Sequence, residues 1–226
     1  MSVRTPKSST DGPLFIAPLA IEGFAVRRGA KRARVERMGM GPTRAIAMRV
    51  RLESRSDTTP LVMIGFGGGL VPGVHPGDVV VASSLLAMAS SGEPSRGFSP
   101  RPPEAVSLGS SHGVAGRLRS AGLIVHEAPI ISSSAVLRTD GDRSRATATG
   151  AVAVDMESYW CAPLALDRPF AVVRVIVDVP GHKLVSPATI GAGWRAYRSL
   201  VEVSRALAAW TSVSLDGNPL QEVGDR

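Results

Sequence analysis

The sequence passes from apolar to acidic within eight residues, Ala151-Val-Ala-Val-Asp-Met-Glu-Ser158. The apolar run is typical of a buried strand, and the segment that follows, residues 158–165, is typical of a helix. Asp155 and Glu157 therefore stand where a strand ends and a helix begins. Ligands bind at this point in open α/β sheets, because the carboxyl ends of parallel strands leave a crevice there. The alternative interpretation is that the two acids are only a helix cap and a first-turn charge.

The rest of the chain repeats this alternation of strand and helix. Strands are predicted over residues 13–21, 61–64, 79–82, 123–131 and 169–178, and helices from residue 22 and over residues 42–54, 111–121 and 188–210. This pattern predicts an α/β fold, with a mainly parallel mixed central sheet flanked by helices. We expect one domain over residues 1–226, with flexible tails at 1–12 and 214–226 and a long loop over residues 89–104.

Composition limits the possible classes of protein. The chain has 226 residues, of which 44% are hydrophobic and 4% aromatic, so its core must consist mainly of Val, Ala, Leu and Ile. No run of about 18 apolar residues and no secretory signal are found, which predicts a cytoplasmic protein. The single cysteine, Cys161, excludes an internal disulfide and is interpreted as a core residue rather than a nucleophile.

The net charge of +7 raises the question of an anionic partner. Six basic residues cluster within residues 27–37, without the interleaved aromatic residues that bind single strands. We interpret this cluster as a solvated basic face and predict no nucleic-acid partner. A nucleic-acid-binding domain and a role at a membrane surface or an acidic ligand stay open as alternatives.

Two glycine-rich segments resemble phosphate-binding motifs without matching them. In Gly65-x-Gly67 the sixth position is Leu70, and in Gly39-x-Gly41 it is Arg44. Both segments are interpreted as tight turns where backbone amides approach a small ligand, for example an anion. The four histidines are scattered, without a second ligand at metal spacing, so no metal site is predicted. The serine-hydrolase motif G-x-S-x-G is also absent from the sequence.

Three acids remain as the candidate site. Glu22, Glu157 and Asp178 each follow the carboxyl end of a different predicted strand. Carboxylates held apart in a cleft are the groups that cleave glycosidic bonds. The sequence therefore predicts glycosidic-bond chemistry at this edge of the sheet.

These segments resemble the nucleoside phosphorylase and nucleosidase superfamily, which includes methylthioadenosine/S-adenosylhomocysteine nucleosidase, over nearly the whole chain. The matching segments are Leu19-Ala-Ile-Glu22, Met38-Gly-Met-Gly-Pro42, Gly65-Phe-Gly-Gly-Gly-Leu70 with the strand after Asp78, Val154-Asp-Met-Glu-Ser158 and Val173-Arg-Val-Ile-Val-Asp178. Within the superfamily, the chain most resembles the hopanoid-associated nucleoside phosphorylase branch, and futalosine hydrolase is a more distant relative.

The resemblance implies a role for each acid. Asp178 would protonate the departing base or hydrogen-bond it at N7, and its apolar neighbours Ile176, Val177 and Val179 would favour the protonated carboxyl group by desolvation. Glu157 would bind the ribose hydroxyl groups, and Glu22 would hold the attacking water.

The resemblance also implies the remaining contacts. The nucleoside would lie against Met156, Val136, Leu137, Phe66 and Gly67. If phosphate attacks instead of water, it would be held by Gly41, Arg44 and Gly65. No cofactor is implied, although inorganic phosphate is a possible co-substrate, and the chain is expected to form a homo-oligomer. From the residues themselves, Arg174 is interpreted as a structural partner of Asp155 or Glu157.

The chain departs from the family in its base-binding segment. The family's Ser-Gly-Asp-x-Phe stands here as Ser132-Ser-Ser-Ala-Val136, without the acid and the aromatic residue. Val177 stands where the family has Ser before the catalytic acid, which predicts an apolar 5' pocket that fits a hydrophobic substrate. With such a substrate, the basic face would lie near a membrane. The predicted function is cleavage of the N-glycosidic bond of an adenine-type nucleoside with an apolar 5' substituent, by phosphorolysis or hydrolysis. A non-catalytic nucleoside-binding protein and a futalosine hydrolase-like nucleosidase are the alternatives.

Overall fold

Strands and helices alternate along the chain as the sequence predicts. The computed structural model describes residues 12–55, 58–88, 104–178 and 187–210. The strands are Leu14–Ala17 (β1), Arg34–Arg37 (β2), Leu61–Gly69 (β3), Val79–Ala87 (β4), Val106–Ser107 (β5), Val125–Ser132 (β6), Ala153–Asp155 (β7) and Phe170–Asp178 (β8). The α-helices are Ala20–Gly29 (α1), Pro42–Glu53 (α2), Ser111–Ser120 (α3), Asp140–Thr147 (α4), Ser158–Cys161 (α5) and Pro187–Leu207 (α6), and a 3₁₀-helix, Ala162–Leu166, follows α5.

All eight described strands belong to one sheet, and most of its pairings are parallel. Parallel pairs join β1 to β2 and β3, β3 to β8, and β6 to β4 and β7. Antiparallel pairs join β3 to β7, and β4 to β5 and β8. The pairs β3–β8, β8–β4, β4–β6, β6–β7 and β7–β3 close a ring of strands. The predicted mixed, mainly parallel α/β fold is confirmed.

The core lies on both faces of the sheet because successive side chains of a strand point to opposite faces. In β3, Leu61 and Met63 pack into one apolar cluster with α2 and α5, whereas Val62 and Ile64 pack into the other with α1, α3 and α6. Arg174 in β8 is fully buried, so the strand places a charged residue inside the core.

The glycine-rich segment of residues 65–69 is part of a strand, so its interpretation as a tight turn is wrong. These residues continue β3 and pair with β8 as far as Gly68 opposite Asp178, with a register shift between Gly67 and Gly68. Their backbone is kept in the ladder because β8 offers partners along its whole length. The glycines leave room for side chains that arrive from other elements, as described below.

Other boundaries also differ from the prediction. Helix α1 begins at Ala20, inside the segment predicted as the first strand, and the side chain of Glu22 accepts a hydrogen bond from the Leu19 amide in its first turn. The polar residues 140–147, which carry no apolar periodicity, form α4. The basic segment of residues 34–37 forms the edge strand β2, and its arginines at both ends are exposed.

Several predictions lie outside the described residues: the two tails, nearly all of the long loop over residues 89–104, and Val179. Among the helices that are described, none is long and apolar enough to cross a membrane.

Candidate active site

A cavity of about 230 Å³ lies where the carboxyl ends of β3, β7 and β8 meet the start of α1. All the residues predicted as catalytic or substrate-binding line it, namely Glu22, Asp178, Met156, Glu157, Val136, Leu137, Phe66 and Gly67. Its wall also includes Pro18, Leu19, Met40, Gly68, Ala135, Arg143, Val154, Asp155 and Val177. The fold thus brings together segments that are up to 156 residues apart, from Glu22 to Asp178.

Arg174 and Asp155 form the buried centre of the wall. The Arg174 Nε and Nη2 atoms each lie 2.7 Å from Asp155 Oδ2, and Nη2 also donates to Ser158 Oγ at 2.9 Å. Both side chains are almost completely buried. The prediction that Arg174 is a structural partner of Asp155 is therefore confirmed.

Asp155 accepts hydrogen bonds from residues of β6, α5 and β8. Its carboxylate accepts hydrogen bonds from the Ser132 and Ser158 hydroxyls and from the Glu157 and Ser158 amides. Burial alone would raise the pKa of Asp155, but the Arg174 guanidinium and the two hydroxyl groups outweigh it and hold the pKa below its ordinary value. With every oxygen engaged, Asp155 fixes the turn between β7 and α5 and orients Arg174.

Glu157 points into the cavity from the residue before α5. Its Oε1 accepts a hydrogen bond from the Gly41 amide at 2.8 Å, and its Oε2 lies 3.8 Å from Arg174 Nη2. Gly41 has a φ of 85° at the start of α2, a conformation that favours glycine. Burial raises the pKa of Glu157, and the Arg174 guanidinium opposes this rise. The Gly41 amide and the backbone at Met156 hold the carboxyl group, which keeps acceptor positions for a ligand.

Glu22 is held in the same way at the start of α1. It accepts hydrogen bonds from the Leu19 amide at 2.6 Å and from the Phe66 amide at 2.8 Å. Burial raises the pKa of Glu22 despite these amides and the nearby Arg174. A Cβ placed on Gly65 would lie 2.7 Å from both Glu22 Oε1 and Arg174 Nη1, so only a glycine leaves these groups their space.

The Nη1 atom of Arg174 is buried and has no hydrogen-bond partner among the described residues. Its Nε and Nη2 atoms are both occupied, as described above. A buried donor without a partner is costly, and a polar molecule between Arg174 and Glu22 would satisfy it.

Asp178 lies at the other end of the cavity and pairs with a residue that the sequence prediction missed. Its Oδ2 lies 2.9 Å from Arg143 Nη2, and the two side chains keep 31% and 21% of their surface exposed. The expected apolar surroundings of Asp178 are therefore wrong, because a guanidinium and solvent adjoin the carboxylate. Arg143 gave no signal in the sequence because it lies in a polar helix, 35 residues from Asp178.

The residues predicted to hold phosphate do not line this cavity. The Gly41 amide is engaged by Glu157, and Gly65 lies against Glu22 and Arg174. Arg44 lines an adjoining cavity of about 480 Å³ together with Arg37. The two cavities share Pro18, Leu19 and Met40 in their walls.

Cys161, interpreted from the sequence as a core residue, is found in the core. Cys161 is buried, and burial raises the pKa of its thiol to about 12, so it is no nucleophile at neutral pH. Tyr159 and Trp160 pack partly buried against the apolar cluster on the α2 side of the sheet. Within the described ranges, no group of three or more His, Cys, Asp or Glu side chains could hold a metal ion.

A carboxylate-lined cavity at the strand ends of a mixed sheet is typical of an α/β enzyme. The model of the phosphorylase superfamily matches residues 11–207, so the chain belongs to the phosphorylase superfamily. This confirms the family predicted from the sequence and, with it, an enzyme that acts on the N-glycosidic bond of a nucleoside. None of the curated proteins matches the chain by sequence.

Solved structures share the fold at low sequence identity. The 5'-methylthioadenosine/S-adenosylhomocysteine nucleosidase of Colwellia psychrerythraea, in complex with adenine, is 17% identical with a TM-score of 0.68, and the match covers 89% of this chain and 98% of that one. The Neisseria meningitidis nucleosidase in complex with methylthio-immucillin-A has 16% identity, a TM-score of 0.66, and coverages of 86% and 98%. A futalosine hydrolase mutant of Helicobacter pylori has 14% identity, a TM-score of 0.69, and coverages of 86% and 96%.

Proposed function

We propose that this protein hydrolyses the N-glycosidic bond of a purine nucleoside, with Glu22, Glu157 and Asp178 as the three working carboxyl groups. The observation that carries the proposal is that all three lie on one cavity, at the ends of different elements. Breaking the bond creates positive charge on the ribose and negative charge on the base, so both sides of the reaction need a partner. Three carboxyl groups at different points of one cavity support this assignment.

Glu157 binds the ribose in this proposal. The Gly41 amide fixes one of its oxygens, and the carboxyl group faces the cavity beside Met156. Ribose hydroxyl groups would donate to the remaining acceptor positions, and the negative charge would stabilise the oxocarbenium character of the sugar. Met156 would pack against the sugar face.

Glu22 and Arg174 hold the attacking water. Glu22 already accepts two amide hydrogen bonds, so its orientation is fixed before any ligand binds. A water between its carboxylate and the unpartnered Nη1 of Arg174 would give one proton to Glu22 as it attacks the sugar carbon. Attack from the side opposite to the base inverts that carbon.

Hydrolysis is favoured over phosphorolysis by what the amides already bind. The Gly41 and Phe66 amides, which could have cradled an anion, each donate to a carboxylate of the chain itself. A phosphate beside Glu22 and Glu157 would meet two buried acids. Arg44, with Arg37 in the adjoining cavity, supports the phosphate alternative.

The proposed substrate is, more specifically, an adenine-type nucleoside with an apolar 5' substituent. Adenine and methylthio-immucillin-A are the ligands of the structurally similar nucleosidases. In this chain, Leu19, Met40, Val136 and Leu137 supply an apolar wall. Such a wall suits an apolar 5' group, in keeping with the hopanoid-associated branch and with contact of the basic face with a membrane surface.

A homo-oligomer is part of the proposal. Ile21 and Phe24 on α1 and Met40, Ile46 and Val50 at or in α2 are large apolar side chains exposed on the single chain. Exposed apolar side chains on neighbouring elements favour burial against another subunit.

Release of free adenine from 5'-methylthioadenosine, measured with and without phosphate, tests the proposal. We expect release without phosphate and free 5-methylthioribose as the second product. Glu22→Gln should lower kcat by about 1,000-fold because it removes the base that takes the proton from water. Glu53→Gln is the matched control, since Glu53 pairs with Arg49 on the surface of α2, and its activity should stay unchanged.

A requirement for phosphate, with the sugar recovered as its 1-phosphate, would refute hydrolysis. The second candidate is a nucleoside-binding protein without activity, which the altered segment of residues 132–136 favours. Tight binding of the nucleoside without release of base from any purine nucleoside would support it.

A further inference from the structure

We propose that Arg143 is a catalytic residue that donates a hydrogen bond to N7 of the departing purine, while Asp178 accepts one from the exocyclic amino group at C6. The assignment rests on the proposed function and deepens it, because it names the groups that recognise the base. It makes the enzyme selective for 6-aminopurines.

The geometry places donor and acceptor side by side. Arg143 reaches from α4 to Asp178, with 2.9 Å between Nη2 and Oδ2, and its Nη1 donates to the Gly69 carbonyl at 3.4 Å. Both side chains line the cavity. The guanidinium is thus anchored to the ends of β3 and β8, and it does not swing freely in solvent.

Within the described residues, Asp178 has one oxygen left for a ligand. Its Oδ2 is taken by Arg143, and its Oδ1 lies beside Gly68, where a Cβ would stand only 3.0 Å away. The glycine therefore lets the carboxylate lie close to the strand. The second oxygen is then an acceptor next to a permanent cation.

This pattern of one acceptor and one donor matches one edge of adenine. Adenine presents N7 as an acceptor and the C6 amino group as a donor, whereas a 6-oxopurine presents two acceptors on the same edge. A 6-oxopurine would place its oxygen against the carboxylate of Asp178. The pair therefore rejects 6-oxopurines by repulsion as well as by a lost hydrogen bond.

The base has few other polar partners in this part of the cavity. Residues 132–136 supply Ala135 and Val136 to the cavity wall, and neither side chain can form a hydrogen bond. Ser132 and Ser133 are buried, and the Ser132 hydroxyl donates to Asp155. Among the residues that the structure describes, Arg143 and Asp178 are thus the ionic groups that remain at this end of the cavity.

The chemical step balances with these groups. The bond between the sugar carbon and N9 breaks, and its electron pair stays on the base as delocalised negative charge. Arg143 stabilises this charge through N7 without giving up a proton. Glu22 takes a proton from the attacking water and afterwards returns it to solvent, and the released base takes a proton from solvent, so the overall reaction consumes only water.

Arg143→Met tests the assignment when two substrates with different leaving groups are compared. With 5'-methylthioadenosine we expect kcat to fall by about 100-fold, the usual loss for one donor to a developing anion. With 4-nitrophenyl β-D-ribofuranoside we expect less than a threefold change, because nitrophenolate leaves without assistance and has no N7. Arg143→Lys keeps the charge and should recover part of the loss.

Arg145→Met is the matched control. Arg145 lies two residues further along α4, is exposed and pairs with Asp142, outside the cavity wall. Both substrates should be turned over at the rate of the unchanged protein. A normal melting temperature of both methionine variants would show that α4 stays folded.

Equal losses on the two substrates, or no loss on either, would overturn the assignment while the proposed function stands. If the unchanged protein releases no base from any purine nucleoside, the proposed function fails, and this assignment fails with it. If the nitrophenyl riboside is not turned over, the role of Arg143 is tested instead by calorimetry, which measures the affinity for free adenine and for hypoxanthine. Arg143→Met should lower the affinity for adenine at least tenfold and reduce the preference for adenine over hypoxanthine. An unchanged affinity for adenine would refute the assignment of Arg143 to the base.

Discussion

At one end of the cavity, Arg174 and Asp155 form an ion pair that has almost no contact with solvent. At the other end, Arg143 and Asp178 form an ion pair with about a quarter of its surface exposed. The first pair is surrounded by hydroxyl and amide partners from three elements. The second has one anchor besides itself, the Gly69 carbonyl.

The difference separates two tasks. In the proposed function, the buried pair lies beside Glu157, which binds the ribose, and beside the water that Glu22 holds, so small displacements there are costly to the reaction. The half-exposed pair would face the base, which must enter and leave. A group that is solvated before binding can exchange water for the base at little cost, whereas a buried charge cannot.

The largest effect is expected for Arg174→Met. Removal of the guanidinium leaves the Asp155 carboxylate buried without a cation, which should lower the free energy of unfolding by about 3–5 kcal/mol. Urea unfolding measures this, and the variant should also be inactive because Glu22 and Glu157 lose their common neighbour. A loss below about 1 kcal/mol would contradict the view that this pair supports the structure.

The sequence predicted those elements whose burial shows in the local pattern of apolar residues. Strand β8 carries a continuous apolar run and helix α6 a helical periodicity, and the predicted bounds of both lie within three residues of the observed ones. The glycines of β3 were misinterpreted because local propensity assigns them to a turn. Glycines are needed at these positions because the side chains of Glu22, Arg174 and Asp178 come close to the strand, and their positions depend on the whole sheet.

The same limit applies to the site. The acids Glu22, Glu157 and Asp178 could be predicted because each lies at or shortly after the carboxyl end of a strand, and strand ends converge. Arg143 could not, since helix α4 has no apolar face and its arginine resembles any surface charge. Contacts between side chains that are distant in sequence are fixed only by the packed fold.

A smaller effect is expected for Gly65→Ala. The new Cβ would lie 2.7 Å from both Glu22 Oε1 and Arg174 Nη1, so these groups must move apart, at a cost of about 2 kcal/mol in the free energy of unfolding. Gly116→Ala, on the exposed face of α3 with open space around it, is the control and should stabilise the protein by up to about 1 kcal/mol. Similar results for both variants would show that the buried end is not tightly packed.

The two buried glutamates beside Arg174, Glu22 and Glu157, should also make the free energy of unfolding depend on pH. Burial raises the pKa of both Glu22 and Glu157, so the folded chain holds these protons more tightly than the unfolded chain. This contribution is complete below 4.5, the ordinary glutamate value, and is lost as the pH rises through the raised pKa values. Glu22→Gln removes one of the two groups and should flatten this part of the curve of unfolding free energy against pH. A curve that rises with pH over the same range, in the unchanged protein, would contradict the direction for both acids.

The smallest effect on stability is expected for Arg143→Met. Both partners of this pair are partly solvated, and the Asp178 carboxylate that remains can turn to water in the cavity, so the free energy of unfolding should fall by less than about 1 kcal/mol. Urea unfolding of Arg143→Met and Arg174→Met under the same conditions gives the comparison directly. A loss as large as that of Arg174→Met would mean that the base end is also a structural centre. A small loss of stability combined with a large loss of adenine release would instead mean that the chain keeps this ion pair for the substrate, since the fold needs it so little.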